Sequence, residues 1–366
     1  MGSVFGEQLK ISIFGESHGA AIGVVIDGFP AGVAVDEAFV LSEMKRRAPS
    51  SAPGSTPRRE PDFPRLLSGV LDGVTTGAPL CAVIENTDTR SGDYAPFART
   101  PRPGHADFTG RVRYHGFQDP RGGGHFSGRL TAPLVFAGAL AKLALRRRDI
   151  AVGSHIRSIG PVQDAQFSET PPTAALVAEL TQSPYPLLKP GKLAEILALV
   201  EQVRAAGDSV GGVIECAVLG VPAGIGSPIF GAVEARLAAM LFSIPAVHGV
   251  EFGSGFAGAA LRGSENNDPF VLESGAVRTS SNRHGGALGG ITSGMPLVFS
   301  CAFKPTASIF QPQDTVDVET FAPARLQIKG RHDPCIVFRA LPVVEAGAAV
   351  VILDLLLEAY GYENFG

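Results

Sequence analysis

The sequence predicts a mixed fold of helices and strands built around a large core. Three observations carry that reading. Four segments have helical character, six runs read as strands, and several of those strands are apolar on both faces. Strands of that kind must be covered on both sides, by helices or by a partner subunit. With 366 residues, 45% hydrophobic and 18% charged, the length allows one large domain or two, and the mean hydropathy of +0.19 suits a soluble chain with a substantial interior.

In chain order the elements follow from local signals. "KISIF" (10–14) and "AIGVVIDGF" (21–29) are the first strand candidates. Residues 36–47 open on acids and close on Lys45, Arg46 and Arg47, as the helix dipole favours. "LLSGVL" (66–71) and "PLCAVIEN" (79–86) read as strands. The helix at 131–148 starts at Thr131 and ends on Arg146, Arg147 and Arg148, and that at 192–206 stops at Gly207, a favourable residue just past a helix end. "GGVIECAVLGV" (211–221) and "PLVFSCAF" (296–303) are further strands. Residues 342–360 are almost wholly apolar, so that helix should be buried on several sides. "GVVIDGFPAG" (23–32) echoes "VIECAVLGVPAG" (213–224): in each a strand meets a Pro-Ala-Gly turn and a helical segment follows. A duplicated unit and two unrelated strand-turn-helix passages both account for it.

Composition excludes several classes. A net charge of −4 argues against broad nucleic-acid binding. Cys81, Cys216, Cys301 and Cys335 are widely spaced and form no CxxC pair, as expected of reduced thiols in a cytoplasmic protein. The start "MGSVFGEQLKISIFG" lacks the basic and apolar blocks of a signal peptide, and no apolar run reaches membrane-spanning length without interruption.

The chemistry is concentrated in short polar clusters beside Gly or Pro: "GESHG" (15–19), "RPGHAD" (102–107), "SNRHGG" (281–286) and "KGRHDP" (329–334). Each offers a His where a ligand can approach the backbone closely. A metal site is the competing reading, but no HxxxH or HExxH spacing supports it and nearby arginines oppose a cation. "KRRAPSSAPGSTPRRE" (45–60) is either a mobile solvated loop or a basic lid over an anionic substrate. "DPRGGGHFSGRLT" (119–131) is either a tight turn or an anion cradle; it lacks Walker A and Rossmann spacing. From the residues alone, this is an enzyme for a small phosphorylated or carboxylated substrate, with His and Asp moving protons.

The order of "FGESHG", "GFPAG", "ENTDTRSGDY", "RPGHAD", "RGGG", "GDSVGG", "VPAGIG", "LRGSE", "GGITSGMP", "FKPTASI" and "KGRHDPC" resembles the chorismate synthase family over essentially the whole chain, 1–366, as a single domain. The resemblance implies an α+β fold, a β-α-β sandwich with a helical layer between two antiparallel sheets, internally pseudo-duplicated and assembled as a homotetramer. It implies 1,4-anti elimination of phosphate and a C6 hydrogen from 5-enolpyruvylshikimate-3-phosphate, with reduced FMN required and no net redox change. His18 would protonate the leaving phosphate, His105 would sit beside the isoalloxazine, and Asp333 would be the base that removes the hydrogen received at flavin N5. Arg46, Arg47, Arg129 and Arg331 would bind substrate. His125, Phe126, Ser127, Pro245, Ala246 and Gly289 would contact FMN, with Lys304, Pro305, Thr306, Ala307, Ser308 and Arg331. NADPH enters only if flavin reduction is intrinsic; otherwise an external flavin reductase is a partner. A flavin-dependent paralogue with a different phosphorylated substrate, or a non-catalytic flavin- or metal-binding protein, are the alternatives.

Two departures stand out. Where the family commonly reads GGGRSSARET, this chain has "GGGHFSGRLT", so His125, Phe126 and Leu130 replace Arg, Ser and Glu. Where the basic loop often reads RRRPG with another Arg five residues after the third, the chain has Ala48 and Pro53. Both remove fixed positive charge.

Overall fold

A computed structural model describes residues 2–49, 62–87, 97, 99–328 and 332–364. Strands β1 (Val4–Phe5), β2 (Lys10–Gly15) and β3 (Ala21–Asp27) run antiparallel, followed by helix α1 (Glu37–Arg47). Then come β4 (Arg65–Ser68), the hairpin β5–β6 (Val70–Leu71 and Val74–Thr75) and β7 (Leu80–Glu85). Five of these make an antiparallel sheet in the order β1-β2-β3-β7-β4. The expected single strand at 66–71 is two, because it turns at Gly69. That residue has φ +86, and a Cβ there would lie 2.5 Å from the Cα of Leu80.

Helix α2 (Asp107–Arg113) and a Gly-rich 3-10 turn lead into α3 (Thr131–Arg146). Beyond it lie β8 (Ala151–Ile159), β9 (Val162–Gln163), α4 (Ala174–Gln182), α5 (Leu193–Ala205), β10 (Gly212–Leu219), α6 (Val233–Ser243) and β11 (Val247–Phe252). A short helix α7 (Gly263–Asn266) precedes two hairpins, β12–β13 (Phe270–Glu273 and Ala276–Thr279) and β14–β15 (Ala287–Leu288 and Ile291–Thr292). The chain closes with β16 (Leu297–Phe303), the hairpin β17–β18 (Gln313–Asp317 and Ala322–Leu326) and α8 (Val337–Tyr360). The second antiparallel sheet is ordered β11-β16-β10-β8-β9.

Helix α3 packs on β2, β3 and β7, α8 packs on β8 and β10, and the two helices pack on each other. Their crossing is close because Gly138 has no side chain: a Cβ there would lie 2.2 Å from that of Ala346. By length and composition, residues 128–146 and Val337–Tyr360 are apolar enough to cross a membrane. Helix α8 is longer than expected, starting at Val337 and not at 342, and Glu345 and Asp354 interrupt its apolar run. Pro342 lies inside the helix instead of opening it. Both helices are core, with α8 wholly buried over its most apolar window.

The two Pro-Ala-Gly turns make matching bonds. Gly32 N donates to Thr75 O and Gly224 N to Thr292 O, at 2.8 and 2.9 Å. Val33 N and Ile225 N each donate to the hydroxyl of that threonine at 2.9 Å. Each hydroxyl in turn donates at 2.6 Å to the carbonyl of the turn proline, Pro30 or Pro222.

Candidate active site

A cavity of about 990 Å³ opens between the N-terminal strand, the Gly-rich turn, the end of α6, the end of β16 and the start of α8. It gathers residues more than 300 positions apart in sequence. From the flavin-contact expectation it draws His125, Phe126, Ser127, Pro245, Ala246 and the segment Lys304 to Ser308. Ala246 holds φ +74, a left-handed conformation unusual for a residue with a side chain, and its carbonyl accepts from Lys304 N at 2.9 Å. The turn and the segment after β16 are thus fixed to one another.

One wall carries a row of guanidiniums. Arg47, Arg129 and Arg339 all line the cavity. Asp62, fully buried, pairs with Arg47 Nη1 at 2.6 Å and also with Arg129. Arg47 is pinned further by Thr131 Oγ1 at 3.1 Å and the Gly128 carbonyl at 3.0 Å, and Arg129 Nε donates to Asn86 Oδ1 at 3.1 Å. Burial lowers the Arg47 pKa to about 10, with Asp62 opposing and the like charges of Arg339 and Arg129 assisting. The Asp62 carboxyl is held below its ordinary value because Arg47 and Arg129 outweigh its burial. Arg47 and Arg129 share Asp62 while Arg339 pairs with Asp333, so three guanidiniums against two carboxylates leave this wall net positive, which suits an anionic ligand group.

His105 also lines the cavity. Its Nδ1 is 3.0 Å from the Pro103 carbonyl, which can only accept, so Nδ1 carries the proton. Nε2 then accepts from Ser308 Oγ at 2.8 Å. Burial, with the charges of Arg102 and Lys304, lowers the imidazole pKa to about 4, against smaller raising effects of the Pro103 carbonyl and Asp107. His105 is therefore neutral near pH 7. Arg102 is itself clamped by Asp107 through Nε at 2.8 Å and Nη2 at 2.7 Å.

His18 sits behind the Gly-rich turn and not on the cavity surface. Gly122 and Gly123 line the cavity with φ +60 and +85. Ser17 Oγ lies 3.0 Å from the Gly122 carbonyl and 3.3 Å from that of Arg121, so its proton goes to a carbonyl. His18 Nδ1, at 3.2 Å, therefore donates to Ser17 Oγ, which leaves Nε2 a proton to give only when the ring is the imidazolium. In the same turn, His125 Nδ1 donates to the Gly15 carbonyl at 2.8 Å and Nε2 meets Ser3 Oγ at 3.0 Å. The ring that replaces the family's arginine thus ties the N-terminal segment across the cavity wall with both nitrogens. Phe126 is tilted at 54° to Tyr114, with ring centroids 6.2 Å apart, and lies over Gly110, where a Cβ would come within 2.9 Å of its ring.

Not every expected residue is gathered here. Arg46 points away from the cavity into a buried ion cluster, to Glu345 at 2.7 and 2.8 Å and Glu43 at 2.8 Å. Gly289 lies in the β14–β15 turn, off the cavity of its own chain. Arg331, Arg58, Arg59 and Pro53 lie outside the described residues. Asp333 does line the cavity, with Arg339 Nη1 at 2.5 Å. Sequence reasoning missed Asp62, Arg102, Asp107 and Arg339. Arg102 and Asp107 stood inside a quoted motif, but nothing local marks Asp62 or Arg339. Among the described residues, no group of three or more His, Cys, Asp or Glu side chains is placed to hold a metal.

Comparison with known proteins identifies the frame around this cavity. The family model described as chorismate synthase matches residues 9–357. A chorismate synthase of Thermococcus gammatolerans is 48% identical over 360 residues, covering 98% of this chain and 99% of that protein. One from Dehalococcoides mccartyi is 45% identical over 359 residues, covering 98% of each. A crystal structure of chorismate synthase superposes with a TM-score of 0.76 at 29% identity, over 98% of this chain and 94% of that one. The chain belongs to the chorismate synthase family, the phosphate-eliminating lyases of the final step of the shikimate pathway.

Proposed function

We propose that the cavity binds 5-enolpyruvylshikimate-3-phosphate together with reduced FMN, and that His18, His105 and Asp333 handle its protons. The observation that carries this is the convergence of a three-arginine wall, a neutral histidine and a carboxylate on one cavity of about 990 Å³. Its size is at the upper end of small-molecule sites and accommodates two ligands.

The residues present fit a flavin phosphate. Lys304 supplies charge, and Thr306 Oγ1 is buried with no hydrogen-bond partner among the described residues, a donor in need of an acceptor. Reduced FMN, when bound, supplies the transient electron density that helps the substrate C–O bond break. Lys304 to Ser308, Pro245 and Ala246 would hold it, with Gly289 and Arg331 as further contacts. Arg47 and Arg129 neutralise the substrate's anionic groups, and their rigid fixing by Asp62 limits reorganisation on binding. As the imidazolium, with Nδ1 bound to Ser17, His18 would give its Nε2 proton to the departing phosphate. Neutral His105 orders the Ser308 hydroxyl, and Asp333 offers a base at the cavity wall.

Anaerobic turnover of that substrate with reduced FMN, followed by chorismate absorbance, is the test; no product at any enzyme level overturns the reading in favour of a paralogue with another phosphorylated substrate. NADPH consumption by the protein with FMN alone distinguishes intrinsic from external flavin reduction.

The repeated turn bonds at Pro30–Val33 and Pro222–Ile225 support an internal duplication. The packing of α3 and α8 against opposite sheets supports the β-α-β sandwich as one domain. Four free cysteines support a cytoplasmic setting, and the exposed Phe256, Phe270 and Leu272 support assembly into a homotetramer.

A further inference from the structure

We infer that Arg339 is a positioning residue for Asp333, an inference that rests on the proposed role of Asp333 as the base. Asp333 lies on irregular backbone ahead of α8, where no helix or strand hydrogen bonding fixes its direction. Arg339 stands in the first turn of α8, a buried helix, and so has a rigid base. From there its side chain, 19% exposed, turns back six residues and donates Nη1 to Asp333 Oδ2 at 2.5 Å.

The second bond of the fork gives the arrangement its specificity. Arg339 Nε donates to the Arg47 carbonyl at 3.0 Å. Arg47 is the last residue of α1, so that carbonyl is one a helix end leaves without an intrahelical partner. One planar guanidinium therefore spans three parts of the site: the start of α8, the Asp333 carboxylate and the end of α1. It also shares the cavity wall with the Arg47 side chain, itself bound to Asp62. A base that must meet one transferred hydrogen needs its oxygen fixed to a fraction of an ångström, and misplacement by about 1 Å can cost about 10²-fold. Lysine would keep the charge but cannot donate in two fixed directions at once.

The test is a double-mutant cycle with Arg339→Gln and Asp333→Asn, read as kcat and KM for 5-enolpyruvylshikimate-3-phosphate under anaerobic conditions. Binding of oxidised FMN to each apo variant, by flavin fluorescence, and circular dichroism check that the cavity is intact. Arg339→Gln should lower kcat by about 10- to 10²-fold with KM changed less than about threefold. In the Asp333→Asn background the same substitution should change kcat by less than about twofold, because its effect passes through a carboxylate already removed. Arg339→Lys should fall between, and replaces the Gln variant in the cycle if that one does not fold. Full additivity of the two substitutions, or a rise in KM with kcat unchanged, overturns the positioning role while leaving Asp333 as the base. Near-normal kcat in Asp333→Asn alone overturns the base and this inference with it.

Discussion

His18 occupies the space that a side chain on Gly122 would fill. A Cβ at Gly122 would lie 1.9 Å from His18 Nδ1 and 2.6 Å from Ser17 Oγ, and the residue already holds φ +60. The three-glycine run is therefore shaped by what stands behind it as much as by any ligand in front. Gly122→Ala should displace the imidazole, lowering kcat by about 10²- to 10⁴-fold, the range of a lost proton-transfer group. It should also cost about 1–2 kcal/mol for the left-handed backbone. Gly128→Ala, where nothing lies within 4 Å of the added atom, is the control. Turnover of both variants with thermal unfolding checks it, and equal activity would separate His18 from catalysis.

His105 should stay neutral through most of the working pH range. Its pKa is lowered from 6.5 to about 4, chiefly by burial and then by Arg102. The folded state thus favours the uncharged ring, so its contribution to stability is complete above about 6.5 and is lost as pH falls through about 4. Imidazole NMR, with His105→Gln for assignment, should show the Nδ1-protonated neutral tautomer down to pH 5. A titration centred near 6.5 would refute the assignment.

A second histidine should behave in the opposite sense. His155 is fully buried, with Nε2 2.8 Å from Glu215 and Nδ1 3.5 Å from Asp164. Burial disfavours its charge, yet the two carboxylates outweigh burial and raise its pKa. At 3.5 Å the Asp164 contact is too long for a strong hydrogen bond, so Glu215 is the closer restraint. Stability from this group is complete below the unfolded value of 6.5 and is lost as pH rises through the raised folded value. His155→Gln should cost about 3–5 kcal/mol at pH 6, because two buried carboxylates lose their partner, and less at high pH. Denaturant melts at the two pH values measure this.

Arg46 should prove structural and not a substrate contact. Glu345, buried at the centre of α8, accepts from Arg46, from Lys142 Nζ at 2.6 Å and from Ser154 Oγ at 2.7 Å. Those cations hold its pKa at about 2 against the effect of burial. Arg46→Met should lower stability by about 3–5 kcal/mol while leaving KM within about twofold. Arg47→Met, on the cavity wall, should raise KM at least about tenfold. If Arg46→Met raises KM as much as Arg47→Met does, its place in the ion cluster is not its main role.

Much of this molecule was legible in the sequence because the relevant signals are local. The Pro-Ala-Gly turns, the capped α1, the apolar α8 and the strands β3, β10 and β16 follow from spacing and composition within about ten residues. The motifs around His18, His105 and Asp333 were likewise local, while the roles proposed for these residues came from the family resemblance. Strand β8 was missed because "AVGSHIRSI" carries Ser154, His155 and Ser158, which read as polar. All three are buried, and Ser154 and His155 bond Glu345 and Glu215, which lie 191 and 60 positions away. Arg46 and Arg47 are neighbours with the same local chemistry, yet one faces Glu345 inside the helical layer and the other faces Asp62 at the cavity. Helical geometry turns successive side chains about 100° apart, so only the packing of α1 against α3 and α8 decides which becomes core and which becomes site. Sequence alone determined the family and the mixed α+β class, and it singled out the residues proposed to handle protons. Tertiary structure decided which charges face the cavity and which join the core, because a buried charge is defined by the partner it finds.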